Sequence, residues 1–274
     1  MKQLINDITA QLLRCYPEDE ARSLAWWIIE EETGLSRTQL QIGCKDTTIF
    51  ANMQKIQTII DRILHFEPIQ YIFGHTLWCG LDLKVTPATL IPRPETAELV
   101  ERINQMVNGQ WSNGKCLDIG TGSGCIALAL KKTHPEWQVT GIDISPEAIK
   151  VARENAKRNK IEVEFKVADI FDFNGDFDII ISNPPYIREI EKADMRPNVL
   201  NYEPATALFV PDNDPLKFYR KIAELKLSKY LFFEINEAYP EEMEALLREH
   251  GYTDIQVTND IYGKPRIIEG RMAE

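Results

Sequence analysis

From residue 116 onward, short apolar runs alternate with amphipathic stretches, and no other feature narrows the available folds so far. The runs at 116–119, 139–144, 163–168 and 177–182 have strand length, and the stretches between the first three, 125–132 and 146–159, carry apolar residues at helical spacing. The pattern continues with a helix over 215–227, a strand over 230–235 and a helix over 240–250, and strands over 255–261 and 266–270 complete it. A helix between two strands returns the chain to the edge it left, so such strands run parallel. The expected fold class is α/β, with a seven-stranded, mostly parallel sheet and helices on both faces.

The first 68 residues have a different rhythm and predict a small helical bundle. Leu4, Ile5, Ile8, Leu12 and Leu13 mark one helix. A second follows Pro17, with Glu18, Asp19 and Glu20 opposing the positive end of its dipole. Ala21, Leu24, Ala25, Ile28 and Ile29 form its apolar face, and Gly34 suits its C-terminal stop. A third, capped by Thr47 or Thr48, would bury Ile49, Met53, Ile56, Ile60, Ile63 and Leu64 and end at Pro68. At least one of Trp26 and Trp27 is expected in this core. Tyr71-Ile72-Phe73-Gly74 and Leu81-Asp82-Leu83-Lys84-Val85 flank a turn and predict a β-hairpin linker. Pro92 and Pro94 then fix an extended path into a helix from about residue 96. The expected division is a helical domain over 1–68, a hairpin and Pro-rich linker over 69–95, and a large α/β domain over 96–274.

Charge and composition exclude several classes. A formal charge of −11 over 274 residues, with no Lys/Arg block, disfavours a surface built to neutralise phosphates. The cysteines Cys15, Cys44, Cys79, Cys116 and Cys125 form no C-x-x-C and follow no leader segment; they are expected as reduced, buried thiols in a cytoplasmic protein. No apolar run approaches the roughly 20 residues of a membrane span. His65, His75, His134 and His250 lack ligand spacing, so no metal site is expected.

Three strand ends carry candidate ligand contacts. Gly120, Thr121, Gly122, Ser123 and Gly124 join the first strand to its helix, and alternate glycines let the backbone turn sharply and approach a ligand at the helix N-terminus. Asp143 ends the second strand, where an acid can accept from both hydroxyls of a ribose. Asp169, after the third, could accept from an adenine amino group, with Ile170 or Phe171 packing on the ring. Together these describe a pocket for an adenine nucleoside. A nicotinamide cofactor would use a similar turn, but no His, Lys or Tyr-x-x-x-Lys stands near a strand end to accompany hydride transfer. S-adenosyl-L-methionine fits better, since its sulfonium methyl is already activated and the protein mainly has to position an acceptor.

The acceptor is indicated by Asn183-Pro184-Pro185-Tyr186, directly after the run at 177–182. Two prolines cannot donate to a sheet, so the strand stops there and Asn183 is held at its carboxyl end. An Asn amide offers one acceptor and two donors in a plane, which suits another planar NH2 group. The Asn183 side-chain oxygen and the Pro184 carbonyl could hold both N–H groups of such a nitrogen, with Pro185 and the Tyr186 ring against its flat face.

With these residues the chain resembles class I S-adenosylmethionine-dependent methyltransferases that modify planar nitrogens. Four further blocks narrow the likeness: Pro68-Ile69-Gln70-Tyr71-Ile72-Phe73-Gly74, Ile91-Pro92-Arg93-Pro94-Glu95-Thr96, Tyr202-Glu203-Pro204-Ala205 and Asp214-Pro215-Leu216-Lys217-Phe218-Tyr219. They are similar to the peptide-chain release factor glutamine N5-methyltransferases. That resemblance implies a Rossmann-like methyltransferase sheet, a substrate-recognising N-terminal domain, and methylation of the glutamine in the Gly-Gly-Gln loop of bacterial class 1 release factors 1 and 2. Ribosomal-protein glutamine methyltransferases are the nearest alternative, but they tend to carry Ser-Pro after the arginine where this chain has Pro94-Glu95. Adenine-N6 nucleic-acid methyltransferases share Asn-Pro-Pro-Tyr, and the acidity counts against them. Some relatives have Trp where this chain has Ile170, which leaves the adenine-packing side chain open. The glycine-free segment 187–214 is expected to be a loop over the substrate, with Glu203 and Pro204 structural.

Overall fold

The computed structural model describes residues 1–42, 52–107 and 113–273, which form two compact units. The first comprises Met1–Gly74 and Pro197–Tyr202. Its helices are α1 (Lys2–Leu12), α2 (Glu18–Thr33), α3 (Arg37–Gln41), α4 (Met53–Leu64) and α5 (Ile69–Phe73). Ile5, Ile8 and Leu12 of α1 meet Ala25, Ile28 and Ile29 of α2 and Ile56, Ile60 and Ile63 of α4 in one buried cluster. Full burial of each large aliphatic side chain contributes about 2 kcal/mol, and that burial rather than helix propensity holds the bundle. Gly34 ends α2 in the left-handed conformation, as its position suggested. Trp26 and Trp27 both pack partly buried against the cluster, and the Arg37 guanidinium sits 4.8 Å from the Trp26 ring.

Several expectations for this region need correction. Leu13 is half exposed, because α1 stops at Leu12. Pro68 does not end α4; that helix stops at Leu64, Phe66 reverses the chain at φ 64°, and Pro68 opens α5. Tyr71-Ile72-Phe73-Gly74 is not a strand. The β-formers Tyr71, Ile72 and Phe73 lie in α5, which Gly74 closes at φ 76°, so local capping prevails over side-chain preference. Thr47, Thr48, Ile49 and Cys44 lie outside the described residues. Cys116 and Cys125 are buried as expected, whereas Cys15 and Cys79 are exposed.

The second unit begins with a hairpin of β1 (His75–Trp78) and β2 (Leu81–Lys84), followed by α6 (Pro94–Val107), with Pro94 at its start where the missing N–H costs nothing. Then come β3 (Lys115–Ile119), α7 (Cys125–Thr133), β4 (Gln138–Asp143), α8 (Pro146–Asn159), β5 (Glu164–Val167) and β6 (Phe177–Ser182). The free edge of β2 is satisfied by two side-chain amides of α8. Asn155 exchanges hydrogen bonds with Lys84 N and O at 2.6 and 3.0 Å, and Asn159 with Asp82 N and O at 3.0 and 2.9 Å. That docking makes the hairpin part of the α/β unit.

The segment after β6 is structured rather than an open loop. It contains β7 (Ile187–Arg188), a 3-10 turn (Glu189–Asp194), α9 (Pro197–Leu200), which belongs to the first unit, and then α10 (Ala205–Leu208) and β8 (Phe209–Val210) of the second, with β7 and β8 paired in parallel. The unit closes with α11 (Lys217–Leu225), β9 (Ser228–Glu234), α12 (Pro240–Glu249), β10 (Tyr252–Asn259) and β11 (Pro265–Met272).

Among the described residues the main sheet has seven strands in the order β10-β11-β9-β6-β3-β4-β5. All neighbours run parallel except β11, which is antiparallel to both β9 and β10. Side-chain alternation divides the core: Cys116, Ile179, Ile181 and Phe232 face a cluster with α6, α7 and α8, while Leu117, Ile180, Leu231 and Phe233 face α11 and α12. The chain leaves β3 toward β4 and β5, then returns to β6 on the other side of β3. In such sheets the crevice at that reversal, beyond the strands' carboxyl ends, is where ligands bind. Ile119 is in register with Ile142 and with Ser182, which aligns the ends of β3, β4 and β6 on one edge. Among the described residues no helix is long and apolar enough to cross a membrane.

Candidate active site

The turn after β3 is built as its glycines suggest. Gly120, Gly122 and Gly124 have φ of 69°, 53° and 80°, a region that L side chains rarely enter. Gly124 also lies against the sheet packing, for a Cβ there would stand 2.9 Å from the Phe165 ring and 3.1 Å from Ala152. Gly124→Ala is therefore expected to cost about 2–4 kcal/mol from backbone strain and overpacking together, read as a lowered urea midpoint of the α/β unit. The turn is pinned from below by Asp118, whose Oδ2 accepts from Thr121 Oγ1 at 2.6 Å and Ala127 N at 3.2 Å. Burial pushes the Asp118 carboxyl up to about 7 against those two hydrogen bonds. Thr121 thus spends its hydroxyl on the fold, and the Ser123 carbonyl accepts from Asn155 at 2.9 Å.

A cavity of about 710 Å³ opens along this edge, within the range of small-molecule sites. Its lining includes Gly120, Thr121, Gly122 and Ser123 of the glycine turn, Asp143, Asp169, Ile170 and Phe171, together with Asn183, Pro184 and Pro185; Gly124, expected at the ligand, is not in the lining and packs against Phe165 and Ala152 instead. Asp143 accepts from Gly122 N through Oδ2 and from Ser145 N through Oδ1, both at 2.9 Å. The carboxylate keeps acceptor capacity for a ligand. Burial raises the Asp143 carboxyl above its ordinary range, opposed by the N–H groups of Ser145, Gly122 and Ile144. Ser145, not Asp143, caps α8. Asp169 Oδ1 accepts from Phe171 N at 2.9 Å, and Ile170 is buried beside it. Phe171 is more exposed, edge-on to Phe218. Among the described residues no cluster of His, Cys, Asp and Glu could hold a metal ion.

Asn183 is held by a chain of polar contacts that the sequence did not reveal. Its Nδ2 donates to Thr96 Oγ1 at 3.2 Å, and Thr96 Oγ1 donates to Glu234 Oε2 at 2.7 Å. Tyr186 departs from expectation: it is not among the cavity's lining residues, and its hydroxyl donates to Glu234 Oε1 at 3.0 Å. The tyrosine ring packs with the core cluster on the α11–α12 face. That hydrogen bond ties the turn to the end of β9. Burial raises the Glu234 carboxyl, opposed by Thr96, Tyr186 and Arg266.

Another buried carboxylate shapes the part of the lining that residues 88–93 supply. Glu203, its side chain 1% exposed, binds the Arg93 guanidinium at 2.5 Å and accepts from Ile91 N at 3.1 Å. It thereby clamps the 88–93 stretch, of which Ala88, Thr89, Leu90, Pro92 and Arg93 line the cavity. Thr96 and Glu203 sit in blocks already singled out by resemblance, but Glu234 had no local signal beyond ending an apolar strand.

Residues 111–259 match the family model described as a methyltransferase domain, and residues 3–74 match that of the PrmC N-terminal domain. The chain is 43% identical to the release factor glutamine methyltransferase of Bacteroides thetaiotaomicron, covering 98% of this chain and 99% of the relative. It is 42% identical to the release factor glutamine methyltransferase of Flavobacterium psychrophilum, covering 94% of each. Among solved structures, the hMettl16 catalytic domain in complex with the MAT2A 3′UTR hairpin 6 superposes with a TM-score of 0.60 at 18% identity, covering 77% of this chain and 84% of that one. At that identity the likeness is one of fold alone.

Proposed function

The chain belongs to the release factor glutamine methyltransferases, and from that premise we propose that its cavity binds S-adenosyl-L-methionine and methylates N5 of the glutamine in the Gly-Gly-Gln loop of release factors 1 and 2. The carrying observation is an Asn183 amide fixed by Thr96 in the same cavity wall as the glycine turn and Asp143. The residues present fit the cofactor. Asp143 has acceptor capacity for a ribose diol, Gly120 and Gly122 keep the backbone open to the methionine portion, and Ile144, Ala148 and Ile170 offer apolar surface to a purine. Asp169 is the candidate acceptor for the purine amino group. A bound S-adenosylmethionine supplies an already activated methyl group on a sulfonium.

What remains for the chain is to orient a poor nucleophile. A primary amide nitrogen is weak because its lone pair is conjugated into the carbonyl. Asn183 Oδ1 accepts one N–H and the Pro184 carbonyl accepts the other, which aims the nitrogen's lone pair at the methyl; Pro185 packs against the amide plane. No general base is required, since the alkylated amide loses its proton readily. The acidic helical unit serves recognition of the release factor, and the reaction is cytoplasmic.

The test is a side-by-side assay with labelled methyl donor and three acceptors: a release factor, ribosomal protein and DNA. Label is expected in the release factor alone. Label in ribosomal protein or DNA, with none in the release factor, would overturn the assignment.

A further inference from the structure

The hydrogen-bond chain behind Asn183 has a direction. Ionised Glu234 has only acceptors to offer, so both hydroxyls that reach it must donate, Thr96 at 2.7 Å and Tyr186 at 3.0 Å. With its proton committed to Glu234, Thr96 Oγ1 can present only a lone pair to Asn183. The Asn183 amide must therefore turn its NH2 toward Thr96, the 3.2 Å contact observed, and that leaves Oδ1 as the group available to a ligand. The anchor is rigid: Glu234 is 2% exposed and Thr96 3% exposed, and the Glu234 backbone carbonyl accepts from Tyr219 Oη at 2.8 Å.

We infer that Glu234 and Thr96 are positioning residues that act as a polarity relay, setting Asn183 to face the substrate amide as an acceptor rather than as a donor. The inference rests on the proposed function, because it needs an NH2-bearing acceptor in front of Asn183. Its specificity consequence is concrete. An Asn183 held the other way would present two donors to a substrate NH2, repelling the group it must bind.

The relay can be reversed without removing an atom's worth of volume. In Glu234→Gln the new carbonyl keeps the Tyr186 proton, because the Arg266 side chain that neighbours Tyr186 cannot accept it. The new NH2 then faces Thr96 Oγ1 and donates to it. Thr96 must in turn give its own proton to Asn183, and only Oδ1 can take it, so the Asn183 amide rotates and its NH2 faces the acceptor. Thr96→Val breaks the relay at its middle with nearly unchanged shape, and Thr96→Ser restores a hydroxyl at the same place.

The experiment is steady-state methylation of a release factor by wild type, T96V, T96S, E234Q and N183A, with calorimetric affinity for S-adenosylmethionine and melting curves for each. E234Q is expected to lose about 10²-fold in kcat and T96V about 10-fold or more, with cofactor affinity held within about twofold. T96S is expected to regain most of what T96V loses, and T96V combined with N183A should be no slower than N183A alone. Normal turnover by E234Q and T96V, equal loss by T96S and T96V, or losses confined to melting or cofactor affinity would each overturn the relay. N183A separates the two levels: if N183A is impaired and E234Q and T96V are not, only the relay fails, whereas a fully active N183A removes the proposed mechanism itself.

Discussion

Asn183→Ala is expected to lower kcat by about 10²–10³-fold while the variant folds normally and binds S-adenosylmethionine within a few-fold of wild type. The magnitude is that of removing one preorganised hydrogen-bonding group from a reacting centre, about 3–4 kcal/mol of transition-state stabilisation. It falls on kcat because, in the proposed function, Asn183 orients the acceptor nitrogen while Asp143, Asp169 and the glycine turn hold the nucleoside. The fold should tolerate the change: Asn183 is only partly buried, and the Thr96 hydroxyl retains Glu234 as its partner. Single-turnover methylation with saturating release factor reads the loss directly. A loss appearing only as a raised KM for cofactor would assign Asn183 to binding instead.

Arg93→Ala is expected to destabilise the α/β unit by about 3 kcal/mol, near the lower end for breaking a buried ion pair because Arg93 itself is 31% exposed. The cost lies in what remains. Glu203 would be left charged, 1% exposed, and held only by Ile91 N at 3.1 Å. For a unit of this size that corresponds to a melting temperature lower by roughly 6–12 °C. Adding Glu203→Gln to Arg93→Ala should recover part of the loss, because a neutral amide tolerates burial better than an unpaired carboxylate. Thermal melts of the two single variants and the double variant check this. Equal stability of Arg93→Ala and wild type would mean that the pair contributes nothing to holding the 88–93 wall.

The site divides into parts that were legible in the sequence and parts that were not. The glycine turn, Asp143 and Asn183-Pro184-Pro185 were legible because each is a local device: a glycine at positive φ, an acid at a strand end and a proline stop act on their immediate neighbours. Their convergence followed from one further inference, that parallel strands share a carboxyl edge. Glu234 and Glu203 were different. Their partners Thr96 and Ile91 stand 138 and 112 positions away, so the pairing exists only once the tertiary fold is formed. Tyr186 shows the same limit. Its proximity to Asn183 suggested a ring beside the substrate, and nothing local signalled that a buried carboxylate on a distant strand holds its hydroxyl. For Tyr71–Gly74 the failure was local. Aromatic and β-branched residues read as a strand, while the flanking Pro68 and Gly74 delimited a single helical turn.

The most direct test of the account is mass spectrometry of the Gly-Gly-Gln peptide from a release factor incubated with S-adenosylmethionine and either wild type or N183A. A gain of one methylene mass is expected, located by fragmentation on the glutamine side chain, complete with wild type and all but absent with N183A over the same interval. A modification on any other residue, or equal modification by both proteins, would contradict it.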